Sequence, residues 1–530
     1  MRHVQARPGA YADSVTLMQV SAQAQAVPGV RAALVAMATE LNLGLLADLG
    51  FTAPDGVTQN DLLIAVEAAD SDALATARAV ADSALTARPA DQAGGPAEQP
   101  PRTTFSAARR AGPGLALISV PGPHAFAEAV DALDSGCDVM IFSDNVPVEQ
   151  EVWLKDCAAE RGLLVMGPDC GTAIVSGIGL GFSHAVPSGP IGVVAASGTG
   201  AQQVVCLLDA AGAGVSAVLG VGGRDLSDAV GGRSARAALA ALDEDPATEL
   251  IVLLSKPPAP AVAADLRSCA ASLTTAVQFA LIGPGQPDLT AAAEAALRAT
   301  GQDVPDWLTW PAAASSGPAV PRGGTDGPAE TGAPPPTVPR PGTGPPAETG
   351  ALRGLFAGGT LCDEAMVIAA DRLGPIYSNI PLRPDWRLDP HAPGAPSGPG
   401  AARHVMIDFG DDELTAGRPH PMIDQRLRLD RLAAEAADPA TAVIMLDVVL
   451  GHGAHPDPAA ELAPAIAAAR AGRGDRDLPV VVSLIGARSD PQGLTAQAVA
   501  LAAAGADVFA SNAQAARFAC DLVARIGGGR

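Results

Sequence analysis

Two short turns in this chain carry residue types that could do chemistry. The first, Ser197-Gly198-Thr199, follows the apolar run 191–195 and precedes a helical stripe of Val204, Val205, Leu207 and Leu208. A buried strand, a small-residue turn and a helix start make an anion site by geometry. The first helical N–H groups have no internal partner, and the dipole there favours negative charge. Ser197 and Thr199 add hydroxyl donors. Such turns also serve as plain connections in α/β proteins, and both readings stand at this point. The second turn is Gly451-His452-Gly453-Ala454-His455-Pro456-Asp457-Pro458, again between an apolar run and a helix. Asp457 suits an N-cap and Pro458 the first helical turn. Its two histidines could donate to a phosphate, carboxylate or carbamoyl oxygen, or be ordinary turn residues. No third ligand lies near them, so no metal is expected.

Further candidates come from the strand ends of residues 104–186. Strand and helix alternate there, which implies a parallel, doubly wound sheet with ligands at the C-terminal strand ends. That edge receives Ser143-Asp144-Asn145 and Gly167-Pro168-Asp169-Cys170-Gly171-Thr172. Asp169 could bind a hydroxyl or cap a helix. Cys170, with no histidine nearby, reads as a buried small residue rather than a nucleophile.

The composition limits what these residues can serve. The 530-residue chain is long enough for several domains. It is 48% hydrophobic but only 3% aromatic, so its core is Ala, Val and Leu. A net charge of −23 argues against nucleic acid and anionic membranes as partners. Lys155 and Lys256 are the only lysines, and neither sits in a GxxxxGK[ST] context, so a Walker A loop is excluded. The seven cysteines form no CxxC pair, which indicates neither a disulfide framework nor a zinc site. No apolar signal core or membrane-length apolar run occurs, and a cytosolic protein is expected.

The elements that position the turns come from the chain's organisation. Residues 1–87 read as a small α+β, ferredoxin-like unit and 88–103 as a linker. Residues 104–187 form a Rossmann-like unit and 188–308 a flavodoxin-like α/β module. Residues 309–352 read as a disordered linker in which PAETGA occurs twice. Residues 353–530 repeat the 188–308 module. GLFAGGTLCDEAMVI at 354–368 matches GVVAASGTGAQQVVC at 192–206, with Gly358-Gly359-Thr360 over Ser197-Gly198-Thr199. Blocks at 404–414, 442–449 and 480–486 match 217–226, 249–256 and 277–283 in the same order. The segment 389–402 reads as a surface insertion.

SGTGAQQVV, GPDCGTA, DVVLGHG and VVVSLIG together resemble the succinyl-CoA synthetase superfamily of NDP-forming acyl-CoA ligases. Residues 104–300 resemble its α subunit, and 353–530 the C-terminal ligase domain of its β subunit, fused on one chain. The stretch YADSVTLMQVSAQAQAVPGVRAALVAMATELN, joined to this fusion, resembles the FdrA branch. The resemblance implies a CoA-binding Rossmann-like domain plus two ligase domains, with Ser143 and Asn145 on the cofactor side and CoA as the implied cofactor. It also implies two facing helix N-termini that hold the phosphate of a phosphohistidine. The matching positions are Ser197, Gly198 and Thr199 in one module and Gly451, His452 and Gly453 in the other. The chain departs from the family in two ways: the segment that should carry the phosphohistidine has no histidine, and the ATP-grasp domain is missing.

The candidate catalytic residues are therefore His452, His455 and Ser197. The candidate anion-binding residues are Gly198, Thr199, Gly358, Gly359, Thr360, Gly451, Gly453 and Asp169. The expected ligand is an acyl phosphate, carbamoyl phosphate or CoA thioester, and hetero-oligomeric partner subunits are expected. FdrA-type proteins are linked with allantoin breakdown, which implies an oxamate carbamoyltransferase subunit. The alternatives are an acyl-CoA ligase with its nucleotide domain on another chain, and a non-catalytic CoA- or metabolite-binding subunit.

Overall fold

A computed structural model describes residues 1–10, 12, 14–86, 101–313, 350–388, 403–415, 418–473 and 477–528. The linker and insertion expected at 88–103, 309–352 and 389–402 lie wholly or largely outside these residues.

The N-terminal unit holds β1 (Arg2–Arg7), α1 (Ser14–Gln25), β2 (Val30–Met37), α2 (Glu40–Asp48), β3 (Leu62–Ala68) and α3 (Ser71–Thr86). Its sheet order is β1–β3–β2, antiparallel throughout. That is a split β-α-β unit, three strands of a ferredoxin-like sheet.

The next unit comprises α4 (Thr104–Ala111), β4 (Leu115–Ile118), α5 (Gly122–Asp134), β5 (Asp138–Ile141), α6 (Val148–Arg161) and β6 (Val165–Met166). β4, β5 and β6 pair in parallel. β7 (Thr172–Val175) and β8 (Ile178–Gly181) then form a hairpin that joins the following sheet instead, where β7 pairs antiparallel with β10. That sheet also contains β9 (Ser188–Ala195), α7 (Gly198–Ala211), β10 (Val215–Gly220), α8 (Arg233–Asp243), β11 (Leu250–Ser255), α9 (Pro260–Ala270), β12 (Ala276–Leu281) and α10 (Leu289–Ala299) as strands and covering helices. The short β13 (Thr309–Trp310) crosses to the edge of the second module, antiparallel to β19.

The second module contains β14 (Ala351–Phe356), α11 (Gly359–Leu373), β15 (Ile376–Tyr377), β16 (His404–Asp408), α12 (Asp412–Thr415), α13 (Arg426–Ala437), β17 (Thr441–Val449), α14 (Pro458–Ala471), β18 (Val480–Ile485), α15 (Leu494–Ala503), β19 (Ala506–Phe509) and α16 (Asn512–Gly528). The order β12–β11–β9–β10 in the first module recurs as β18–β17–β14–β16 in the second. Helices cover both faces, so the central strands are mostly apolar; all nine residues of β17 are buried, Asp447 among them. One apolar cluster runs from Val204 and Leu208 of α7 through Ala293 of α10 to Leu361 of α11 and Ala519 of α16. The two modules therefore share a core.

Polar contacts repeat across that shared core. Gln203 of α7 accepts from the N–H of Asn512, the first residue of α16, at 2.8 Å. Glu364, the counterpart of Gln203 on α11, accepts from the N–H of Leu289, the first residue of α10, at 2.6 Å. Each module thus caps a helix of the other. This pseudo-twofold exchange sets which helix ends meet.

Candidate functional site

The turn after β9 is tight. Ser197 is the extended N-cap of α7, and its hydroxyl accepts from the Gly200 N–H at 3.1 Å. Gly200 has no room for a side chain, since a methyl there would lie 2.7 Å from Leu254 Cδ2. The turn after β14 lacks a side-chain cap at Gly358, and Asp447 of β17 compensates. Its carboxylate accepts from the N–H groups of Ala357 at 2.7 Å and Gly358 at 2.8 Å. Arg428, also buried, pairs with Asp447 at 3.2 Å.

The pseudo-twofold brings these two turns together. Ser197 Oγ and Thr360 Oγ1 are 2.6 Å apart, and the Thr360 N–H donates to Thr199 Oγ1 at 3.3 Å. A methyl on Gly358 would lie 2.8 Å from Thr199 Cγ2. The helices α7 and α11 therefore begin head to head. The N–H groups of Gly198, Thr199 and Gly359 have no partner among the described residues. Two helix dipoles converge where those donors lie.

Charged groups ring the start of α11. Lys256 follows β11 and pairs with Asp363 at 2.7 Å, with 47% of its side chain exposed. A methyl on Gly359 would lie 3.7 Å from Lys256 Nζ and 2.7 Å from Asp408 Oδ2. Burial pulls the Lys256 pKa down, but Asp363 and Asp408 outweigh it and hold the ammonium above its ordinary value. Asp408 ends β16, and Asn379 exchanges hydrogen bonds with its backbone at 2.9 and 3.0 Å. Burial lifts the Asp408 carboxyl to about 8 despite the Gly410 N–H and Lys256. His420 packs against Phe182, their ring centres 5.5 Å apart. Burial, then Arg428, pushes its ring down to about 4, so it is neutral at pH 7. His420 Nδ1 accepts from the Met422 N–H at 3.2 Å, which assigns the ring proton to Nε2.

The expected pairing of Ser197–Thr199 with Gly451–Gly453 is corrected by this geometry: the turn facing Ser197 is 358–360. The Gly181–His184 segment after the β7–β8 hairpin stands between the 451–453 turn and α7. His452 donates its N–H to Ser183 O at 2.7 Å, and a methyl on Gly451 would press on Ser183 O. A methyl on Gly453 would lie 3.1 Å from Gly181 O. Phe182 O in turn accepts from Thr172 Oγ1 and Gln202 Nε2 beside the start of α7. The His455 side chain turns toward the start of α14, while its N–H donates to Met422 O at 2.8 Å. Its Nδ1 accepts from the Asp457 N–H at 3.1 Å, and its Nε2 is 3.5 Å from Glu461. That Glu461 contact, ahead of other influences, holds the ring pKa above its ordinary value. Asp457 caps α14 as its sequence suggests.

Asp169 caps no helix. It takes a left-handed conformation (φ +56°), and its N–H donates to Ser143 O at 3.0 Å. The residue is exposed as a whole, while desolvation of its carboxyl, then Asp412 and Asp144, lifts it to about 7. Cys170 is buried, its thiol directed at Gly220 O, and burial pushes it up to about 12. Ser143 uses its hydroxyl on Val120 O, and Asn145 is exposed (φ +54°). Arg224 is already held by Val146 O and Glu151. Asp144 and Asp412 stand near Asp169 on this edge, with Arg224 among them.

Lys256, Asp408 and His420 line this candidate site without belonging to any quoted motif, and Asp447 does so as the first residue of DVVLGHG. Two signals existed. Lys256 is one of only two lysines, and the other, Lys155, is buried against Glu151 and Asp225. The module copies also differ where β10 ends on Gly220 and β16 ends on Asp408.

Residues 355–522 match the family described as CoA-ligase, and residues 1–101 match AllF, heavy metal-associated domain. The chain is 38% identical over 528 residues, 98% of each chain, to the uncharacterized protein YahF of Escherichia coli K12. The chain belongs to the succinyl-CoA synthetase superfamily as an FdrA-like member. It is also 30% identical over 160 residues to a succinate–CoA ligase [ADP-forming] subunit alpha of Aquifex aeolicus, matching 29% of this chain and 51% of that subunit. A dinucleotide forming acetyl-coenzyme A synthetase 1 of Ca. Korarchaeum cryptofilum covers 78% of this chain at 16% identity, with a TM-score of 0.27; 83% of that chain is covered. The N-terminal domain of this FdrA-like chain does not fit the metal its family description names. Residues 1–101 contain no cysteine and a single histidine, His3, so thiolate donors for a soft metal are lacking. No described helix is long and apolar enough to cross a membrane.

Proposed function

We propose that this FdrA-like chain is an acyl-transfer subunit that holds an oxyanion between the starts of α7 and α11, with carbamoyl transfer as its chemistry. The observation that carries the reading is the head-to-head pair of helix starts with Lys256 beside them. Donors aimed in advance at a developing oxyanion stabilise an acyl-transfer transition state without reorganising. Among the described contacts, neither His452 nor His455 reaches this place, which favours direct transfer over a phosphohistidine. Transfer between carbamoyl phosphate and an amide nitrogen needs an anion site and a proton carrier, but no nucleotide domain. The FdrA resemblance, with its link to allantoin breakdown, points the same way.

The test uses the purified chain, alone and with the products of neighbouring genes. Carbamoyl phosphate formation from oxalurate and phosphate is assayed beside ADP formation from ATP, CoA and succinate. The expected result is carbamoyl phosphate formation that His452→Ala leaves intact. CoA-dependent ADP formation, with label from γ-labelled ATP on a histidine, would overturn the reading in favour of a ligase.

A further inference from the structure

Asp408 differs from the other carboxylates of the site. It is 6% exposed, and its Oδ1 accepts from the Gly410 N–H at 2.9 Å. Its Oδ2 has no hydrogen-bond partner among the described residues and is aimed at the start of α11, 2.7 Å from where a Gly359 methyl would stand. Asn379 clamps the backbone from which this side chain springs. Lys256 lies on the other side of the same point but pairs with Asp363, not Asp408. A carboxyl oxygen with no hydrogen-bond partner among the described residues, carried by a buried side chain, thus faces the place where an anion would meet helix N–H groups. As a carboxylate it would repel that anion; as an acid it would be one more donor.

We propose that Asp408 works as a carboxylic acid that donates Oδ2–H to the oxyanion held at Gly359 and carries the proton of the acyl transfer. This rests on the anion site proposed above. When an oxygen of hydrogen phosphate attacks the carbamoyl carbon, the C–O bond forms and the C–N bond breaks. The departing nitrogen takes the proton from Oδ2, and the proton lost by hydrogen phosphate restores Asp408. In the reverse direction Asp408 gives its Oδ2 proton to the departing phosphate oxygen, and the N–H proton of the attacking amide restores it. Protons balance in both directions, and no further reactant is needed.

The groups facing Asp408 are Lys256 from the end of β11, Cys362 and Asp363 from α11, Asp447 from β17, Arg428 from α13, and His420. Lys256 stays cationic and His420 neutral through the neutral and mildly alkaline range. Burial drives the Cys362 thiol well up. Asp363 and Asp447 are each paired with a cation, while burial pushes both carboxyls up.

The experiment measures binding of inorganic sulfate, whose charge is fixed in this range, by calorimetry on the full chain from about pH 6.5 to about pH 9.5. Below about 8 Asp408 is protonated and donates; above it the carboxylate repels. Wild-type affinity is therefore level at first and then falls about tenfold per pH unit. Asp408→Asn, which donates but does not titrate, binds with a flat profile. Asp408→Ser, a smaller hydroxyl donor, does the same and guards against misfolding of the amide variant. A flat wild-type profile, or a slope that persists in both variants, overturns the role of Asp408. No sulfate binding to wild type at any pH overturns the anion site itself, and this inference with it.

Discussion

Replacing Lys256 by methionine is expected to weaken inorganic phosphate binding about ten- to hundredfold and to lower acyl-transfer turnover about a hundredfold. The methionine keeps the length of the stem and removes the ammonium. Lys256 is half exposed and has one ion-pair partner, Asp363. Its loss leaves the apolar core untouched and costs the fold little, since a pair this open to water contributes weakly to stability. Its role toward an anion is different. The start of α11 offers backbone donors, but Lys256 Nζ is the full positive charge beside Gly359. Without it, Asp363 faces the helix start with no countercharge, and an anion meets a bare carboxylate. Phosphate titrations by ³¹P NMR, beside the carbamoyl phosphate assay, check both effects. Unchanged affinity in a folded variant would remove Lys256 from the site.

The largest stability effect is expected at Asp447. Asp447→Ala should lower the unfolding free energy of the C-terminal module by about 3–5 kcal/mol. Asp447 is fully buried, and it holds Ala357 N–H, Gly358 N–H and the Arg428 guanidinium. Alanine leaves two buried donors and one buried cation unanswered. Removing one partner of such a pair costs more than the pair contributes when intact. Asp447→Asn keeps one acceptor for one of the two N–H groups and should fall between the two. Urea unfolding followed by circular dichroism reads both variants. The same substitution frees the 357–358 turn, so phosphate binding should weaken along with stability. A loss under about 1 kcal/mol would show that the turn holds its shape without Asp447.

The modules were readable because their strands announce themselves. Runs such as TAVIMLDVV are buried on both faces and cannot be surface elements, and four such blocks recurring in order imply one module twice. β1 was not readable, because RHVQAR is a polar edge strand whose burial is only partial. The β7–β8 hairpin was missed for a related reason: it is short and glycine-broken, with Ile178 exposed. That omission matters, since the segment after the hairpin separates the His452 turn from α7. Local sequence shows that a turn could hold an anion; which turn faces which depends on helices packing across the shared core. Ser197 and Thr360 meet because Gln203 and Glu364 lock α7 and α11 against α16 and α10. Lys256 and Asp408 carry no motif, and Asp447 opens DVVLGHG without that motif showing what it holds. They matter through their positions at strand ends beside a helix start, which only the assembled sheet reveals.

The central claim is that an anion is bound at the meeting point of α7 and α11, and Gly359→Ala tests it most directly. The added methyl would fill the space 2.7 Å from Asp408 Oδ2 and 3.7 Å from Lys256 Nζ without changing a charge. Alanine favours a helix over glycine by about 1 kcal/mol, which offsets a small shift of Asp408. The measurement is a phosphate isotherm on the variant and on wild type at equal pH and ionic strength, each with its melting curve. The account predicts an affinity lower by about thirtyfold or more, with the melting curve unchanged. Equal affinity in the two proteins would contradict it and send the search for the anion away from the meeting helix starts.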